Sequence, residues 1–160
     1  MPEAICYTLH DGLDCALTFY MVIAVRPLSS QAEHPGRYRL RLKQEARAAQ
    51  GDDPQLSGNV YARIVWFHHE KAGQDVDNIA KIILDSLKGI VFDDDRRVMQ
   101  CSITGVNTTE VYEMSDSGLP PWVSDRIFSF LSRDELHFIY VEVGNLVTQK
   151  VTFGSIEGGS

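Results

Sequence analysis

Apolar positions follow two rhythms along the chain. Leu17 to Val25 is a nearly continuous apolar and β-branched run closed by Pro27 and Ser29-Ser30, which predicts a buried strand. After Pro35-Gly36, Tyr38 to Ala49 sets Leu40, Leu42, Ala46, Ala48 and Ala49 among Arg, Lys, Gln and Glu. These good helix formers predict a helix of about three turns, stopped by Gly51 to Pro54. Val60 to His68 returns to strand composition with Val60, Ile64, Val65, Trp66 and Phe67, and is expected at the centre of a sheet. From Val76 to Lys88, Ile79, Ile82, Ile83 and Leu87 recur at helical spacing, and Gly89 ends the element.

The second half is less regular. Val98 to Val106 and Glu110 to Met114 suggest paired strands around Asn107-Thr108-Thr109, although that turn chemistry is weak. Gly118-Leu119-Pro120-Pro121 breaks the pattern, and Trp122 to Leu131 suggests a short helix. His137 to Val143 alternates Phe138, Tyr140, Glu142 with Ile139, Val141, Val143, the pattern of a half-buried strand. The order of elements predicts an α+β fold: a two-layer mixed β-sheet with helices on one face. We expect one domain over residues 1–160, with 154–160 a frayed tail.

No apolar run approaches the roughly 18 residues that span a bilayer. The first 25 residues lack Lys and Arg, unlike a secretory signal, so a cytoplasmic location without membrane partners is expected. Cys6, Cys15 and Cys101 lack CxxC spacing and are expected to be reduced, buried thiols. A net charge of -7 argues against nucleic acid until its distribution is considered. Residues 75–95 hold six aspartates against two lysines, a local charge of -4, so bound divalent cations would cancel much of the deficit.

Those aspartates carry the candidate chemistry. Asp77, Lys81 and Asp85 stand at i, i+4 steps on one helix face, with Asp75 at the helix mouth. The plain alternative is that Asp75 or Asp77 caps the helix and Asp77 pairs with Lys81 in solvent. That does not account for Asp93-Asp94-Asp95, which follows after only Ile90-Val91-Phe92, since like charges crowd at a cost unless a cation joins them. Hard cations such as Mg²⁺ favour such carboxylates. A calcium loop of the EF-hand kind fails because Ile79 and Ala80 occupy positions that need an oxygen ligand and a Gly.

The string Asp75-Val76-Asp77-Asn78-Ile79-Ala80-Lys81, Asp85-Ser86-Leu87, then Val91-Phe92-Asp93-Asp94-Asp95-Arg96-Arg97-Val98 resembles the motif of the RusA family of Holliday-junction resolvases. Arg26-Pro27-Leu28-Ser29-Ser30 is similar to a weaker motif of that family, so the likeness covers about residues 17–115. The resemblance implies a homodimeric, Mg²⁺-dependent endonuclease, with Mn²⁺ a possible substitute, that nicks four-way DNA junctions. Carried over, Asp75, Asp77 and Asp95 are the metal carboxylates and catalytic residues, Asp94 a further metal ligand, and Lys81 the cation near the scissile phosphate.

Family members carry Arg or Lys just before the first carboxylate, whereas this chain has Lys71-Ala72-Gly73-Gln74. Lys71 and the basic run Arg37, Arg39, Arg41, Lys43 and Arg47 are candidate DNA contacts, or else a solvated helix face. His68-His69 is expected to pack or lie at the surface, and Trp66, Phe67, Trp122 and Phe128 to serve core or dimer packing rather than base stacking. A rival reading is a catalytically weak RusA-like module that binds branched DNA or, through its C-terminal part, a protein partner. A third is a nuclease for a flap, a fork or RNA.

Overall fold

A computed structural model describes residues 17–28, 32–69, 76–147, 151, 153 and 154. Four strands form one mixed sheet: β1 (Thr18–Ile23), β2 (Val60–His68), β3 (Val98–Asn107) and β4 (His137–Asn145), in the order β1-β4-β2-β3. β4 runs antiparallel to both neighbours, while β2 and β3 are parallel. A parallel pair needs a crossover, which here contains helix α2 (Val76–Leu87). The predicted α+β class and mixed sheet are therefore present, with β2 in the interior of the sheet.

Helix α1 (Gly36–Gln50) starts directly after Pro35, whose fixed φ suits a helix entry, and stops at Gly51 with φ 54°. It buries Tyr38, Leu42 and Ala46. α2 buries Ile79, Ile82, Ile83 and Leu87 completely, each worth about 1.5–3 kcal/mol of transfer free energy. Both helices pack on the face formed by Met21, Ile64, Trp66, Ile139 and Val141.

The third helix, α3 (Pro121–Ser132), modifies the expectation of helices on one face only. Its Val123, Ile127 and Phe130 join Val22, Phe67, Phe138 and Tyr140, the side chains of opposite parity, and so cover the other side of the sheet. For the same reason β4 is buried along nearly its whole length rather than half-buried. Glu142, only 7% exposed, is held there by Tyr140 Oη–H at 2.6 Å and by Arg63 at 3.6 Å. Around the β1 edge, Arg126 of α3 reaches Glu45 of α1 at 2.9 Å.

The expected strand over Glu110 to Met114 is not formed, and residues 111–116 are irregular and exposed. β3 pairs with β2 instead of folding back. The Asn107 side chain accepts from Thr109 N at 3.0 Å and Thr109 Oγ1 at 2.7 Å, a local turn that closes no hairpin. Cys101 lies exposed on β3, which is an edge strand, and not in the core as expected. Partial burial of its thiol pushes the pKa up. Cys6 and Cys15 and the tail from residue 155 lie outside the described residues.

Candidate functional site

α2 carries the candidate residues on the side turned from the core. Asp77 is in the first turn and exposed, where the positive end of the helix dipole favours a carboxylate. Lys81 follows one turn later, also exposed, and Asp85 is half-buried a further turn on. Among the described residues Asp77 and Lys81 form no ion pair within 4 Å, with each other or with anything else. The plain alternative of a solvated Asp77–Lys81 pair is therefore not what the side chains adopt.

Beyond α2 the chain turns sharply. Gly89, at φ 81°, adopts the left-handed conformation that a side chain resists, and its N–H donates to Phe92 O at 2.7 Å. The turn drives Val91 and Phe92 fully into the core and leaves Asp93, Asp94 and Asp95 at the surface. The three aspartates then differ in what they do. Asp94 accepts from Arg96 N at 2.9 Å, capping the short 3-10 helix Asp95–Arg97, and forms a fork with the Arg96 guanidinium, which holds its carboxyl well below the usual carboxylate range. Asp93 pairs with Arg97 and is lowered by it. Asp95 makes a loose contact with Lys88 Nζ, at 3.8 Å, and a side-chain hydrogen bond with Asp94. Unlike Asp93 and Asp94, it is not held by a guanidinium among the described residues.

Asp77 and Asp95 do not meet within one chain. The helix between them rises roughly 15 Å from Asp77 to Leu87, and Asp95 sits by Lys88 just past its far end. No group of three or more His, Cys, Asp or Glu that could hold a metal is present among the described residues. Asp75 and Lys71, predicted as a metal ligand and a DNA contact, lie outside those residues. Asp77 and Asp95, as exposed hard oxygen donors, fit Mg²⁺ in their chemistry.

α1 lies against α2 on the same face of the sheet, so the basic run borders the acidic helix. Arg37, Arg41 and Arg47 are exposed, whereas Arg39 and Lys43 are half-buried. Arg41 already donates to Ala24 O at 3.1 Å, which ties α1 to the end of β1. Trp66 and Phe67 are core residues, as expected, while Phe128 is 46% exposed on α3. His68 packs half-buried against the Trp66 ring at 4.5 Å, and His69 is exposed. One participant not anticipated from sequence is His137, which accepts a hydrogen bond from Trp66 at 3.3 Å. Its position at the start of an apolar strand gave no chemical signal.

Among curated proteins none matches the sequence. A family model described as Endodeoxyribonuclease RusA matches residues 30–114, more than half of the chain, and that stretch contains α1, β2, α2, both acidic clusters and β3. No described helix is long and apolar enough to cross a membrane. The chain belongs to the RusA endodeoxyribonuclease family.

Proposed function

We propose that the protein is a Mg²⁺-dependent endonuclease that nicks four-way DNA junctions by hydrolysis of a phosphodiester. The observation that carries this reading is Lys81: an ammonium one turn from Asp77, on the exposed side of α2, not committed to an ion pair among the described residues. Asp75, Asp77 and Asp95 would hold the cation, and Asp94, already engaged by Arg96, would be the lesser ligand. Bound there, Mg²⁺ would supply Lewis-acid polarisation of the phosphate and an activated water. Lys81 offsets the negative charge that grows on the phosphate oxygens in the transition state. Arg37, Arg41 and Arg47 on the adjacent helix hold flanking phosphates, which offsets the net charge of -7.

The separation of Asp77 from Asp95 favours a dimer. The outer edge of β3 offers ten residues with no charge and no proline, a rare length of unprotected edge. Two copies pairing there about a two-fold axis would run antiparallel, as would their α2 helices. The Asp77 end of one α2 would then lie beside the Asp95 end of the other, which completes the acidic group in a way that one chain alone does not.

The separation also favours the rival reading, a module that binds branched DNA without cutting it, if the protein is monomeric. The deciding experiment is incubation of purified protein with junction, fork, flap and duplex DNA, in Mg²⁺, Mn²⁺ or EDTA. The expected result is symmetric, metal-dependent nicking of the junction, with binding but no nicking by Asp77→Asn. Junction binding without nicking by wild type in either metal selects the binding module. Preferential cutting of fork or flap selects a different branched substrate.

A further inference from the structure

The Trp66 side chain is 3% exposed and carries an N–H that must find an acceptor on burial. It donates through Nε1 to His137 Nδ1 at 3.3 Å, across neighbouring strands, and the two rings lie nearly parallel, 17° between their planes, with centroids 5.9 Å apart. Because indole N–H can only donate, Nδ1 is the acceptor in this bond. The His68 ring also contacts the indole, with centroids 4.5 Å apart, and His68 is the cross-strand partner of His137. The rings form a row across β4 and β2 at one end of the sheet, on the face that α2 covers.

The Trp66 and His68 rings come close to the first residue of α2 around Gly105. A methyl group placed on Gly105 of β3 would lie 3.7 Å from Val76 Cγ1, 3.8 Å from His68 Nε2 and 3.9 Å from Trp66 Cε3. Three side chains thus converge over one glycine, and Val76 immediately precedes Asp77. A rigid aromatic floor fixes the height at which the α2 N-terminus rests, and an error of about 1 Å in a reacting group can cost about a hundredfold in rate.

Resting on the nuclease reading above, we propose that Trp66 and His137 are positioning residues: their hydrogen bond locks the floor under Val76 and so sets where Asp77 presents its carboxylate. Neither ring need touch substrate. The test compares wild type, Trp66→Phe, His137→Leu and His137→Asn, the last offering Oδ1 at nearly the place of Nδ1. Four quantities are read: the Mn²⁺ half-saturation from electron paramagnetic resonance without DNA, junction affinity in Ca²⁺, the single-turnover rate in Mg²⁺, and the melting temperature.

Trp66→Phe and His137→Leu should raise the Mn²⁺ midpoint at least fivefold and slow cleavage at least tenfold, with junction affinity within twofold. His137→Asn should return both values to within threefold of wild type. A folded Trp66→Phe or His137→Leu with a Mn²⁺ midpoint within twofold of wild type overturns the proposal and leaves the pair as core packing. If His137→Leu does not fold, Trp66→Phe, which keeps a ring in place, decides alone. A wild type that binds Mn²⁺ but does not cut refutes the nuclease reading, while the Mn²⁺ midpoints still decide the positioning role. A wild type that takes up no Mn²⁺ overturns both.

Discussion

Replacing Lys81 with Ala separates a catalytic side chain from an ornamental one with little interference from folding. Lys81 is exposed and forms no ion pair among the described residues, so even the roughly 0.3–0.5 kcal/mol typical of an i, i+4 helix pair is not there to lose. Alanine is the stronger helix former by a small margin, so stability should stay within about 0.5 kcal/mol or rise slightly. On the rate, an ammonium about 4 Å from developing charge at an effective dielectric of 20 interacts by roughly 4 kcal/mol, and part of that is already present in the ground state. A net loss of about 2.7 kcal/mol, or a hundredfold in rate, is the expected size. The assay is single-turnover cleavage of a four-way junction in Mg²⁺ by wild type, Lys81→Ala and Lys81→Arg, with melting curves in parallel. Arg should rescue only partly, because a planar fork does not replace a compact ammonium beside a metal. Cleavage by Lys81→Ala within about threefold of wild type would refute the reasoning.

The acidic run gives a second comparison: Asp95→Asn should lower junction cleavage at least a hundredfold, whereas Asp94→Asn, whose carboxylate serves Arg96 and the 3-10 cap, should stay within about tenfold. Equal losses, measured under the same single-turnover conditions, would show that the metal takes both. Ser102→Lys, at the middle of β3, brings two like charges close together if β3 edges pair about that point, and should turn a dimer into a monomer by light scattering with cleavage down about a hundredfold or more. A dimer that persists moves the interface elsewhere. Asp134 sits at φ 51° after α3, with Glu135 N donating to Phe130 O at 3.1 Å in a helix-ending turn that glycine prefers. Asp134→Gly should therefore stabilise by up to about 1 kcal/mol in urea unfolding, and a lower midpoint would contradict that account.

Elements with a strong period were legible to within a few residues. Ile79, Ile82, Ile83 and Leu87 marked α2, and Val60 to His68 marked β2, because one element type explained every apolar position. Two misreadings share one cause, namely that the partner of a strand is a tertiary fact. Glu110 to Met114 resembled a second strand by composition, but β3 had already spent one edge on β2, and the Asn107 turn closes on itself. His137 to Val143 alternated as a half-buried strand should, yet both faces are covered because α3 packs opposite α1 and α2. Residue types alone do not say which helix crosses to which side of a sheet.

The candidate site was legible as a set of residues and not as a place. The spacing of Asp77, Lys81 and Asp85 gave the shared face of α2, because helical geometry is local. The structure puts Asp95 at the other end of α2, which spacing alone did not give, since the chain from Leu87 to Asp95 could span roughly 26 Å if extended, more than the length of the helix. The Gly89 turn, closed by Gly89 N–H on Phe92 O, leaves Asp95 beside Lys88 at 3.8 Å, at the far end of the helix from Asp77. In the nuclease reading proposed above, Asp95 then needs further carboxylates from outside its own α2. In the dimer proposed above a second copy would supply them: its α2 would run the opposite way about the two-fold axis and bring its Asp77 beside Asp95. If that is right, metal affinity and protein concentration are linked. Dilution below the dimer dissociation constant should weaken Mn²⁺ uptake per chain, and an uptake that does not change with protein concentration would break the link.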